Sequence, residues 1–309
     1  MQGGNTMKKI LKWIGWIVGA IVGLLVLALL GLYIASSLRL NKNYHVQPVA
    51  VAIPTGETVV TEGKRQYLTH GCLDCHGLDG AGIMVIDDPL VGYATGANLT
   101  PGEGGIGQTY SDIDWVRAIR HGIGPDGKPL VIMPSVEYNV MNDEDLGNLI
   151  AYLKSLPAVD RTPPPLSLGP LGRALLFGGE IPILPAEHID HNAPRPTAIA
   201  KGPTAEYGHY LAAQTCVGCH GQGLSGGPIP GLPPEPPLPP NLTPDKETGL
   251  GSWSKADFVQ AIRTGQRPDG SAINPVKMPW PAFQHLTDEE LSALWLYLQT
   301  VPAKPYGHR

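Results

Sequence analysis

Between Trp13 and Ala35 the chain runs for 23 residues without a charge. At about 1.5 Å per residue, a helix of that length spans a hydrocarbon core of roughly 30 Å. Lys8, Lys9 and Lys12 precede the run, and Trp13, Trp16 and Tyr33 sit near its ends, where interfacial anchors belong. A cleaved leader has an apolar region of only about 7–15 residues. The pattern therefore predicts a retained membrane anchor over 1–42. A short tether with Pro48 and Pro54 follows over 43–56.

Beyond the tether the apolar positions recur at helical spacing. A helix is expected from about Glu57 through Leu68. Ser111 or Asp112 can cap a second one ending near His121, with Ile113, Val116, Ala118 and Ile119 as its apolar sites. Asn142 or Asp143 can cap a third, in which Leu146, Leu149, Ile150 and Leu153 recur before Pro157. Gly77 to Gly107 reads as irregular, glycine-rich loop. Residues 158–200 are rich in proline and read as a stiff, partly extended linker able to pack across its neighbours. Within it, Leu175-Leu176-Phe177 marks a buried contact.

The first unit then returns. Asn98-Leu99-Thr100-Pro101 recurs as Asn241-Leu242-Thr243-Pro244, and Ala118-Ile119-Arg120 as Ala261-Ile262-Arg263. Pro125-Asp126-Gly127 recurs as Pro268-Asp269-Gly270, and Met133-Pro134 as Met278-Pro279. Matching order at a near-constant offset means a duplicated domain rather than a short-period solenoid. The division is 57–157 for the first copy and 201–309 for the second. An insertion at Gly223–Pro240, rich in glycine and proline, is expected as a rigid surface loop in the second copy.

Composition adds one constraint. The formal charge is −5, yet residues 1–42 hold five cations and no acid, which leaves −10 on the remainder. An acidic ectodomain offers no footing for nucleic acid. It suits redox partners that present basic or apolar patches.

All four cysteines lie in two copies of one motif, Cys72-Leu73-Asp74-Cys75-His76 and Cys216-Val217-Gly218-Cys219-His220. C-x-x-C-H is the attachment pattern for c-type haem. A zinc site needs four nearby N or S ligands, and neither motif has a second cysteine pair. Two covalently bound haem c groups are thus expected, with His76 and His220 as iron ligands. Since such haem is attached outside the cytoplasm, the N-terminus lies inside and the haem units face the periplasm.

A second axial ligand is expected from Met133 and Met278, which follow their histidines at almost equal distance and precede the last helix of each copy. Met141 has Leu286 at its place in copy two and is set aside. Arg120 and Arg263 hold matched positions from which each can pair a haem propionate. Asn98 and Asn241 make either a turn with Thr-Pro or a bond to haem, the turn being favoured. His188 and His191 form H-x-x-H in the linker, where an exposed loop is the simpler reading than a metal site.

The order C-x-x-C-H, N-L-T-P, A-I-R-x-G, P-D-G, M-P and a closing helix before proline resembles the cytochrome c subunits of membrane-bound alcohol and aldehyde dehydrogenases. The resemblance covers about 57–157 and 201–302. It implies a mainly α protein with two class I cytochrome c-like domains behind a transmembrane helix, ligated by His76/Met133 and His220/Met278. Its expected role is single-electron transfer between a respiratory donor, a dehydrogenase or quinol-oxidising complex, and a downstream acceptor such as a soluble cytochrome or copper protein. Competing readings are the dihaem subunit of a cbb-type terminal oxidase and a dihaem peroxidase. The matched methionines speak against the peroxidase. A thiosulfate-oxidising cytochrome would want a cysteine ligand, and none is spare.

Overall fold

The apolar run lies in one continuous helix, α1 (Gly3–Leu40). The structure is a computed structural model that describes residues 3–179, 182–231 and 234–309, with the side chains of α1 described from Met7 onward. From Met7 to Leu30 every residue of α1 is exposed. The helix is long and apolar enough to cross a membrane. Among the described residues, its contacts with the rest of the chain come from its last turns.

Each repeat builds the same helical frame. In the first, α2 (Glu57–Thr69) leads into the short α3 (Leu73–His76), then α4 (Asp112–His121), α5 (Ser135–Tyr138) and α6 (Asp143–Lys154). In the second, α8 (Ala205–Thr215) leads into α9 (Val217–His220), then α10 (Lys255–Thr264), α11 (Trp280–Phe283) and α12 (Asp288–Leu298). The caps follow the sequence signals. Ser111 and Ser254 each close a capping box with an aspartate at N3. Gly122 and Gly265 end those helices in the left-handed conformation that favours glycine.

The first and last helices of each copy cross at a glycine. A Cβ at Gly63 would lie 2.0 Å from the Asn148 carbonyl oxygen, and one at Gly208 would lie 2.0 Å from that of Ala293. Backbone thus meets backbone at both crossings, and a side chain there has nowhere to go. Tyr67, Trp115, Leu146 and Ile150 fill the first core; Tyr207, Leu211, Leu291 and Leu294 fill the second. Met141 is fully buried in the first, and Leu286 takes its place in the second.

Two stretches depart from the sequence reading. Inside Gly77–Gly107, expected as irregular loop, β1 (Met84–Asp88) pairs antiparallel with β2 (Gly92–Thr95). Val85, Ile86 and Tyr93 favour strand, and Asp88 turns the hairpin by accepting from the N–H groups of Leu90 and Val91. The proline-rich segment 158–200 supplies β3 (Ser167–Leu168), which extends that sheet, and α7 (Pro170–Gly178). It packs on both repeats, with Ile183 and His191 against the first and Ile199 against the core of the second. Leu176, Leu184 and Ala186 are buried, while Phe177 is exposed, and α7 packs on the end of α1. His191 reaches His121 with the two Nδ1 atoms 3.2 Å apart. A polar pair of this kind leaves no periodic trace in sequence. His191 is therefore part of a packed contact and not of a free exposed loop.

The repeats face one another reciprocally. From α2, Arg65 forks onto Glu290 at the third position of α12. From α8, the Tyr210 hydroxyl donates to Asp145 at the third position of α6, at 2.7 Å. Arg65 corresponds to Tyr210, and Asp145 to Glu290, each by the offset that relates Gly63 to Gly208. His70 and Gln214, each two residues ahead of its first motif cysteine, meet at 3.2 Å.

Candidate functional site

Both cysteine motifs sit on a single helical turn that starts directly after a longer helix. The Cys72 backbone N–H donates to Tyr67 and that of Cys216 to Ala212, so the helix hands its direction to the motif. Cys72, Cys75 and Cys216 are half-buried and Cys219 is exposed, and all four are unpaired thiols. Desolvation pushes the Cys72 thiol up to about 12 and the Cys216 thiol up to about 11. A thioredoxin-like pair needs a lowered thiol pKa, so that chemistry does not fit these cysteines. Among the described residues no three His, Cys, Asp or Glu side chains group as a metal cluster.

The histidines carry the most informative geometry. His76 Nδ1 lies 2.8 Å from the Ala97 carbonyl oxygen, and His220 Nδ1 lies 2.8 Å from that of Pro240. A carbonyl only accepts, so the proton sits on Nδ1 and Nε2 keeps its lone pair. This is the tautomer and ring lock that an iron-binding imidazole requires. Desolvation lowers His76 from its ordinary range and takes His220 down to about 4, so both rings are neutral at physiological pH. The residues present therefore fit covalently attached haems, whose irons the Nε2 atoms of His76 and His220 would bind.

The asparagines support this lock. Asn98 Oδ1 accepts from the Thr100 N–H and hydroxyl, while its Nδ2 donates to Val159 and Arg161 carbonyls. Asn241 Oδ1 accepts from the Thr243 N–H, and its Nδ2 donates to the Lys304 carbonyl at 2.7 Å. Each asparagine makes a turn and pins it to the chain beyond the closing helix. The residue just before each asparagine provides the carbonyl that locks the histidine. Sequence reasoning found the turn; it missed the carbonyls, because a backbone acceptor is invisible to residue type.

Met133 and Met278 lie half-buried at the edges of the two cores, packed against them. Both carbonyls accept from the N–H two residues on, at 2.8 Å for Ser135 and 2.7 Å for Trp280. The same tight turn thus presents both methionines. Just before Met133, Ile132 has φ 69°, a region that a β-branched residue adopts only under constraint, and its N–H donates to Ile183 at 2.8 Å. The chain after the first repeat therefore holds that turn.

Arg120 and Arg263 hold matched contacts in the two repeats. Arg120 is buried, donates to the Met141 carbonyl at 2.8 Å, and pairs Asp143 at 3.0 Å. Arg263 pairs Asp288 at 2.7 Å and donates to the Gln284 carbonyl. Asp143 and Asp288 open the closing helices, where a carboxylate is favoured by the helix dipole. Both guanidinium groups reach the start of a closing helix in this structure.

A family model for cytochrome c matches residues 60–157 and again 205–302. Among curated relatives, the cytochrome c subunit of a quinone-dependent alcohol dehydrogenase from Gluconobacter oxydans is 29% identical, over 81% of this chain and 56% of its own length. The gluconate 2-dehydrogenase cytochrome c subunit of Pantoea cypripedii is 30% identical, over 80% of this chain and 60% of its own. The chain therefore spans little more than half the length of these dehydrogenase subunits. A diheme c-type cytochrome from Cereibacter sphaeroides is 29% identical, over 87% of this chain and 94% of its own length.

Proposed function

The chain belongs to the cytochrome c family, and from that premise we propose that it is a membrane-anchored electron-transfer subunit serving a dehydrogenase. It carries two covalently bound haem c groups. When bound, their iron supplies a one-electron couple. Cys72 and Cys75 attach one haem, and Cys216 and Cys219 the other. His76 with Met133, and His220 with Met278, are the proposed axial pairs.

The observation that carries this reading is the duplicated histidine lock. In both repeats a backbone carbonyl holds the Nδ1 proton and leaves Nε2 ready to bind iron. The protein's part is then to keep both rings neutral and oriented, to exclude water from the two cores, and to hold the two repeats at fixed separation. No acid, base or nucleophile is needed for that role. The charge bias before α1 and the extracytoplasmic attachment of c-type haem favour an inward N-terminus and outward repeats.

The near-complete match in length to a diheme relative favours a second reading, a carrier that works without a dedicated dehydrogenase. Isolation of the tagged chain from detergent-solubilised membranes separates the two. A stoichiometric dehydrogenase subunit whose substrate reduces both haems supports the first. A chain isolated alone, yet reduced by quinol-oxidising membranes, supports the second.

A further inference from the structure

We infer that α7 and the tip of the β1–β2 hairpin lie in the membrane interface, as a second lipid contact that fixes the first repeat against the bilayer. This rests on the proposal that α1 crosses the membrane. Trp13 and Tyr33 are 20 residues apart, about 30 Å along a helix, so they bracket one hydrocarbon core. Tyr33 then marks the outer boundary of that core.

At this boundary α7 is fastened to α1. Arg173 donates to the Ser36 hydroxyl at 2.6 Å and to that of Ser37 at 3.1 Å, and its guanidinium lies 4.1 Å from the centre of the Tyr33 ring. Arg39 donates to the Leu176 carbonyl and pairs Glu187. Leu176 and Gly172 form the buried side of α7. The opposite side consists of Leu171, Ala174, Phe177 and Gly178, all exposed, with no charge among them. Phe177 is 61% exposed and Leu171 46%.

The hairpin tip joins this apolar side. The Leu171 N–H donates to the Leu90 carbonyl at 2.9 Å, and the Leu90 side chain is 63% exposed. An uncharged face on a helix whose arginine turns back to the anchor is the arrangement of an interfacial element, with apolar side chains in the acyl boundary and the cation at headgroup level. The occupant is lipid because this face continues the lipid-facing surface of α1, where Ile34 and Leu38 are also exposed. The hairpin connects this contact to the first haem site, since Ile83, at its base, donates to the Cys75 carbonyl at 2.9 Å.

The test uses the full haem-loaded chain in nanodiscs of phosphatidylcholine and phosphatidylglycerol. Native cysteines being held by haem, a nitroxide is placed singly at Phe177→Cys, Leu171→Cys, Leu24→Cys in mid-anchor, and Val276→Cys on the exposed second repeat. Collision with oxygen, which concentrates in lipid, is compared with collision with a water-soluble nickel chelate. Leu24→Cys should meet oxygen alone, and Val276→Cys the chelate freely. Phe177→Cys and Leu171→Cys should meet the chelate several-fold less than Val276→Cys while keeping full access to oxygen. If both match Val276→Cys while Leu24→Cys is in lipid, the interfacial contact is overturned and the anchor stands. If both are shielded from both probes, protein covers the face and the lipid contact is equally overturned. If Leu24→Cys reports water, the anchor reading falls and takes this inference with it.

Discussion

Arg65 crosses from the first repeat to hold Glu290 of the second with both terminal nitrogens, at 2.6 and 2.8 Å. The corresponding contact in the other direction is Tyr210 on Asp145. Each carboxylate is buried and sits at the first turn of its repeat's closing helix. The same two side chains therefore stabilise a helix start and join the repeats.

Removing the arginine strands a buried carboxylate, which costs about 3–5 kcal/mol when nothing else compensates. Tyr207 and the Thr287 N–H still reach Glu290, so Arg65→Met is expected to lose about 2–4 kcal/mol. Tyr210→Phe, which removes a hydrogen bond to Asp145 and the acceptor of the buried Asn142 N–H, should lose about 1.5–3 kcal/mol. Denaturant unfolding followed by haem absorbance measures both. An unchanged midpoint for Arg65→Met would mean that the repeats do not meet in this way in solution.

Gly63 and Gly208 should tolerate no side chain. A methyl group placed about 2.0 Å from a backbone oxygen forces the helices apart. Overpacking typically costs about 1–3 kcal/mol, and here the upper end applies because backbone must move. Gly63→Ala and Gly208→Ala should each lower the thermal midpoint of the haem-loaded chain. Gly178→Ala, with open space around it, is the matched control and should leave it unchanged.

The axial ligands make a spectroscopic prediction. If His76/Met133 and His220/Met278 are the axial pairs, both irons should be six-coordinate and low-spin, and the oxidised protein should show the weak red-end band of a thioether ligand. Met133→His should lower the potential of one haem, and Met278→His that of the other, because imidazole favours oxidised iron more than a thioether does. A redox titration resolving the two haems reads this directly. High-spin iron in the reduced protein together with rapid peroxide consumption would favour a peroxidase.

Acid should loosen the contact between the first repeat and the segment that follows it. Burial, with the charges of His191, Arg120 and Arg117, lowers His121 from 6.5 to about 4. The folded state thus binds this proton less readily than the unfolded chain. The contact is fully stable above pH 6.5 and loses stability as pH falls toward 4, by up to about 3 kcal/mol. The melting temperature of His121→Gln should fall less steeply across that window than that of the parent chain. Parallel slopes would rule out His121 as the titrating group.

The hydrophobic pattern and the residue types determine the long apolar helix, the paired helical units, their caps and the two cysteine motifs. These are local or periodic, so they can be read at fixed spacing along the chain. Even the duplication is legible, because matched motifs keep their order. Tertiary structure alone decided the rest. The carbonyls of Ala97 and Pro240 lock the histidines from about twenty residues away, and a backbone oxygen has no signature in residue type. The contacts of Arg120 with Asp143 and of Arg263 with Asp288 join residues distant in sequence that come close only when the closing helix packs. The hairpin is not legible in the sequence because four or five strand residues amid glycines give too short a period to stand out. Burying Leu176, Leu184 and Ala186 turned a proline-rich linker into a packed element, since enough apolar area to offset its ordering entropy appears only once α1 and the first repeat are in place.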